Sequence, residues 1–166
     1  MTKIRVDLNV NNYRGGPQLR LCDNKKVLYD DKLSHSGPQS IEIETDLKLP
    51  TVLTVEHYGK NMKHDTKILD GKIVDDKGFS IEKIQIDNFV LQNEIYHFEF
   101  KTENDEVIDK NNYIGHNGTF IINIDSEHLS IWYYKMKKKL LRGTEAFDYE
   151  KFKSEIFQND SREVVY

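Results

Sequence analysis

One cysteine, Cys22, stands alone in 166 residues. An internal disulfide and a cysteine-built zinc site are therefore excluded, and the thiol content is that of a chain made in a reducing compartment. No apolar run approaches the roughly 18 residues of a membrane-spanning helix. The opening MTKIRVDLNV alternates polar with apolar residues where an export signal would carry an apolar core. No membrane partner is expected. Neither sign of charge dominates: 24 Lys and Arg face 28 Asp and Glu, a net charge of −4. Such a field does not gather nucleic acid.

Catalytic grammar is equally sparse. No Gly-x-Ser-x-Gly elbow occurs, and Cys22 falls in an expected strand. The histidines His35, His57, His64, His97, His116 and His128 lack the paired spacing of a zinc site. A glycosidase pair of carboxylates is neither supported nor excluded by 28 acidic residues. The expectation is a protein that is not an enzyme.

What the chain does have is alternation. Ile4, Val6, Leu8 and Val10 share one face against Lys3, Arg5, Asp7 and Asn9, the period of a half-buried strand. After the break YRGGP the pattern resumes in QLRLC, KVLYD, SIEIET, TVLTVEHY, FSIEKIQID, EIYHFEF and GTFIINI. TKILDGKIV centres on Asp70-Gly71, the dipeptide that suits a two-residue hairpin turn because both central residues need positive φ. About eight or nine short strands at such spacing predict a mainly β fold, an antiparallel two-sheet sandwich of jelly-roll type over residues 1–125.

The period changes at Asp125. In DSEHLSIWYYKMKKKLLRG the apolar residues Leu129, Trp132, Tyr133, Met136 and Leu140 recur at three and four, which predicts an amphipathic helix. Asp125 or Ser126 would cap it, and Gly143 would close it. DYEKFKSEIFQND repeats the pattern with Tyr149, Phe152 and Ile156. Residues 126–166 are thus expected as a helical appendage whose stripe, Leu129 to Leu140 with Phe152 and Ile156, needs a covering surface: the sandwich or another subunit.

Two ligand classes remain open. Asp65, Asp75 and Asp87 offer the hard oxygen ligands that calcium takes, yet match no helix-loop-helix calcium spacing, and interleaved lysines nearly cancel their charge. The plain alternative is a solvated hairpin whose aspartates cap turns. Tyr13, Tyr58 and Tyr113 fall in or beside expected loops, where exposed aromatic faces can contact a glycan; burial in a sandwich core is the competing fate.

The segment VEHYGKNMKHDTKILDGKIVDDKGFSIEKIQIDN, followed by NNYIGHNGTFIINI, resembles an arrangement in virion proteins of tailed bacteriophages, notably marine cyanobacterial phages. The shared features are a strand ending in Gly-Lys, an Asp-Thr, a Gly-containing hairpin, an isoleucine-rich strand and an Asn-Gly before a last strand. The resemblance implies a capsid, neck or tail component with a sandwich like that of non-catalytic carbohydrate-binding modules. It also implies assembly in the host cytoplasm with other virion proteins and copies of itself. The alternatives are a free glycan-binding module, calcium-assisted or not, and an intracellular enzyme subunit.

Overall fold

A computed structural model describes residues 1–108 and 111–140. In chain order the elements are β1 (Thr2–Asn12), β2 (Gln18–Asp23), β3 (Lys26–Lys32), β4 (Gly37–Thr45), β5 (Thr51–Tyr58), the single turn α1 (Met62–Asp65), β6 (Thr66–Leu69) and β7 (Lys72–Ile86). They continue with β8 (Phe89–Leu91), a 3-10 turn (Asn93–His97), β9 (Glu99–Thr102), β10 (Val107–Ile108), β11 (Tyr113–Ile114), β12 (Gly118–Ile124) and α2 (Leu129–Leu140).

The strands form two antiparallel sheets. One runs β11-β7-β1-β4, with β6 and β8 also on β7, and the other runs β10-β9-β12-β5-β2-β3. Alternation along each strand decides which side chains lie between them. Ile4, Val6, Leu8 and Val10 of β1 meet Leu19, Leu21, Leu53, Val55, Phe100, Phe120 and Ile122 of the opposite sheet in one core. The mainly β, two-sheet antiparallel sandwich expected from periodicity is the observed fold.

Asp70 and Gly71 take φ of 50° and 74°, so the Asp-Gly turn joins β6 to β7 as expected. β7 then runs without a break from that hairpin into the sheet, where register with β1 pairs Asn12 with Lys77 and Ile4 with Ile86. The segment EIYHFEF departs from its expected form: EIYH belongs to the 3-10 turn and only the following residues enter β9. Burial of Ile95 and Glu94 next to each other accounts for the switch, since two consecutive inward residues do not fit a period of two.

The helix α2 lies on its own sandwich. Trp132 is 4% exposed and donates its indole N–H to the Asn123 carbonyl at 2.8 Å. Tyr133 donates its hydroxyl to the Val90 carbonyl at 2.9 Å, and the Lys137 ammonium pairs with Glu94. Leu129, Tyr133 and Met136 pack against the core, and Leu140 is half-buried. Of the two covering surfaces expected for the stripe, the sandwich and another subunit, the chain's own β8 and 3-10 turn lie against α2. Phe152, Ile156 and the closing Gly143 lie outside the described residues.

Candidate functional site

Outward-pointing residues of the second sheet build the site. Strand register sets Lys101 opposite Thr119, Thr119 opposite Glu56, Glu56 opposite Arg20 and Arg20 opposite Asp30, a single row across five strands. Arg20 ties its centre together, with Nε 3.0 Å from Asp30 Oδ2 and Nη1 3.2 Å from Glu56 Oε2. Its guanidinium also lies 4.6 Å from the centroid of the Tyr58 ring, within the range of a cation–π contact. The Tyr58 hydroxyl donates to Asp30 Oδ1. That bond, with Arg20, lowers the Asp30 carboxyl; the same bond and burial raise the phenol, against the pull of Arg20.

Between this row and the turn after β9 opens a groove of about 440 Å³. Glu56, Tyr58, Lys101, Glu103, Asp105 and Asn117 supply its polar groups, and Ile121 adds an aliphatic surface. Gly118 allows the walls to approach, because a Cβ there would come 2.4 Å from the Lys101 carbonyl. Asn117 locks one end: its Oδ1 accepts the Lys60 amide at 2.9 Å, and its Nδ2 donates to the Lys60 carbonyl at 3.0 Å and to Glu103 Oε2 at 3.3 Å.

Beneath this end lies a sealed polar node. The Lys60 ammonium, with a side chain 0% exposed, reaches Asp76 Oδ1 and the Gly115 carbonyl. Asp76 also accepts the Thr66 hydroxyl at 2.7 Å and the Tyr113 hydroxyl at 2.8 Å. Burial alone would raise the Asp76 carboxyl; bonds from Lys60, Thr66 and Tyr113 outweigh it and hold it below its ordinary value. Tyr113 moves the other way, raised by burial and by its bond to Asp76. His57 is fully buried against Phe79, its Nδ1 3.1 Å from the His116 carbonyl and its Nε2 without a partner. Burial, with the nearby Lys60 charge, lowers it to about 4.

Among the tyrosines expected to meet a glycan, only Tyr58 reaches the groove. Tyr113 is committed to Asp76, and Tyr13 sits in the turn after β1 with the Arg14 guanidinium 5.4 Å from its ring centroid. The aspartates considered for calcium are dispersed. Asp65 pairs with Lys77 at 2.9 Å and accepts the Asn61 amide; Asp75 accepts the Asp76 amide at 3.0 Å; Asp87 accepts the Lys3 amide at 2.7 Å. Asp65 balances a lysine, Asp87 holds an amide of β1 and Asp75 the amide next to it in β7, and among the described residues no three His, Cys, Asp or Glu side chains are grouped to hold a metal ion. Lys101, Glu103 and Asp105 carried no motif, and Asn117 entered only as the Asn-Gly before the last strand. The outward phase of β5 and β12 places 56, 58, 119 and 121 on a common face but does not reach Lys101, Glu103, Asp105 or Asn117.

No protein-family model matches the chain, and no curated protein sequence does. Solved structures similar to it include vCBM60 in complex with galactobiose, at 14% identity and a TM-score of 0.48, over 73% of this chain and 97% of that one. Another is the selenomethionine form of vCBM60, described with a circular permutation linking two families of calcium-dependent carbohydrate binding modules; it is 14% identical with a TM-score of 0.49, over 78% of this chain and 97% of that one.

Proposed function

We propose that this chain is a non-catalytic glycan-binding module whose site is the groove between the outer face of the second sheet and the turn after β9. The observation that carries it is the lining of that groove: a tyrosine ring beside hydroxyl, carboxylate and ammonium groups, in a cleft open to solvent. A sugar ring offers an apolar face for the aromatic and hydroxyls for the polar groups. Binding is favoured over catalysis because, of the displaced ionisable groups, His57 is buried against Phe79 and Asp76 and the half-buried Tyr113 are bonded to each other. The test is a calorimetric titration against soluble oligosaccharides. Tyr58→Ala should weaken binding about tenfold, the equivalent of about 1.4 kcal/mol, with the melting temperature retained. Failure of every oligosaccharide to bind would remove the reading.

A second reading, assembly with copies of itself, draws on a separate observation. The β6–β7 hairpin carries Ile68 at 64%, Leu69 at 58%, Ile73 at 63% and Val74 at 51% exposure, a concentration of apolar surface that invites cover. Among the described residues β6 pairs only with β7, so its other edge is free for a like strand from a second copy. A virion is the setting that the sequence resemblance implies for such an assembly. Sedimentation decides it: a concentration-dependent oligomer abolished by Ile68→Asp with Ile73→Asp supports it, and a monomer at all concentrations removes it.

A further inference from the structure

The groove's hydrogen-bonding groups are not equally free. Both ends of the Asn117 amide are taken by Lys60, with Glu103 Oε2 sharing the Nδ2. The Tyr58 hydroxyl proton is given to Asp30, Arg20 is held by Asp30 and Glu56, and Thr102 Oγ1 accepts the Glu106 amide at 3.2 Å. The side-chain donors left for a ligand are the exposed Lys101 ammonium and the Thr102 and Thr119 hydroxyls, Thr102 accepting from Glu106 without giving its own proton. The acceptors left are more numerous: Glu103 Oε1, Glu56 Oε1 and both oxygens of Asp105. Three carboxylates thus face one unpaired ammonium, and ionised carboxylates only accept.

We infer that the groove selects glycans bearing a free amino group, hexosamine units with a protonated amine, over acidic glycans. This rests on the glycan-binding reading and goes beyond it by fixing the charge class of the sugar. An ammonium presents N–H donors and no acceptor, so it complements the Asp105 and Glu103 wall with charge-assisted bonds. A uronate or sulfate places acceptors against acceptors and like charge against like, which costs affinity. Glu56 contributes less, because Arg20 already neutralises it. The wall lies on the short turn after β9, where Asp105 takes φ of 61° and its amide donates to the Thr102 carbonyl at 3.0 Å. Asp105 lines the groove, and among the described residues its carboxylate forms no ion pair.

The test compares three soluble probes by calorimetry at a pH where the amine is protonated: a glucosamine oligomer, its N-acetylated counterpart and an oligogalacturonate. The expected order places the amine-bearing oligomer about tenfold or more ahead of the N-acetylated one, since hydrogen bonds between an ammonium and a carboxylate are stronger than those of a neutral amide. The oligogalacturonate should bind weakest. Asp105→Asn with Glu103→Gln should bring the affinities for the amine and N-acetyl forms together, whatever it does to their common level, and added salt should shrink the difference in the wild type. Equal affinity for the amine and acetyl forms, or preference for the uronate, overturns the selectivity but leaves the glycan reading standing. Absence of binding to all three overturns the selectivity, and the glycan reading falls with it when neutral oligosaccharides also fail to bind.

Discussion

Removing the Lys60 ammonium is the sharpest perturbation this fold offers. The Lys60 side chain is 0% exposed and its partner Asp76 is 10% exposed, so neither charge has water to fall back on. In Lys60→Met the Asp76 carboxylate keeps the Thr66 and Tyr113 hydroxyls but loses its only cation within the node, and the Gly115 carbonyl loses its donor. Breaking a buried pair by deleting one partner costs about 3–5 kcal/mol, a large share of the roughly 5–15 kcal/mol that holds a domain folded. Asp76→Asn added to Lys60→Met removes the stranded charge and should recover a substantial part of that loss. Linkage gives a second handle. The Asp76 carboxyl is lowered on folding, so its contribution is present above the unfolded value near 3.8 and is lost as pH falls through the folded value. Urea denaturation at neutral pH, with the slope checked for constancy, measures the loss. A cost under about 1 kcal/mol for Lys60→Met would refute the view that this pair holds the polar node together.

Three further outcomes follow from the same geometry. His57 is lowered from 6.5 to about 4, so the unfolded chain takes up its proton first and stability falls as pH drops through that window, by at most about 3 kcal/mol; urea midpoints compared with His57→Gln should show a flatter acid limb in the variant. Trp132→Ala should cost about 3–5 kcal/mol, and truncation before residue 126 should destabilise the sandwich, as read by thermal melts; an unchanged midpoint would mean that α2 does not complete the core. Gly71→Val should cost about 1 kcal/mol or more by strain at positive φ, whereas calcium or a chelator should leave the melting temperature where it was; a calcium-dependent rise would bring back Asp65, Asp75 and Asp87 as ligands.

The strands were legible because their inward residues repeat at two: β1, β2 and β5 alternate buried and half-buried over nearly their whole length. Helix α2 was legible for the same reason at a different period. Its destination was not, since an apolar stripe states that something covers it without naming what; the Asn123 and Val90 carbonyls that receive Trp132 and Tyr133 come from other segments. The short strands β8, β10 and β11 span two or three residues each, too few for a period to declare itself. The groove was the least legible part. Arg20, Glu56, Lys101 and Thr119 lie on four different strands and meet only through register, so no local motif brings them together. Tyr113, which shares its Asn-rich surroundings with Tyr58 in sequence, turns inward because Asp76 waits on β7 to take its hydroxyl proton.

The most direct measurement is a two-dimensional amide NMR titration with a neutral soluble oligosaccharide, which registers weak binding residue by residue. Perturbations should concentrate on residues 56–59, 101–105 and 117–121, the strand ends and turn that line the groove. A spectrum unmoved at millimolar sugar, or shifts confined to the hairpin around Asp70 and Gly71, would contradict the assignment of the groove as a glycan site.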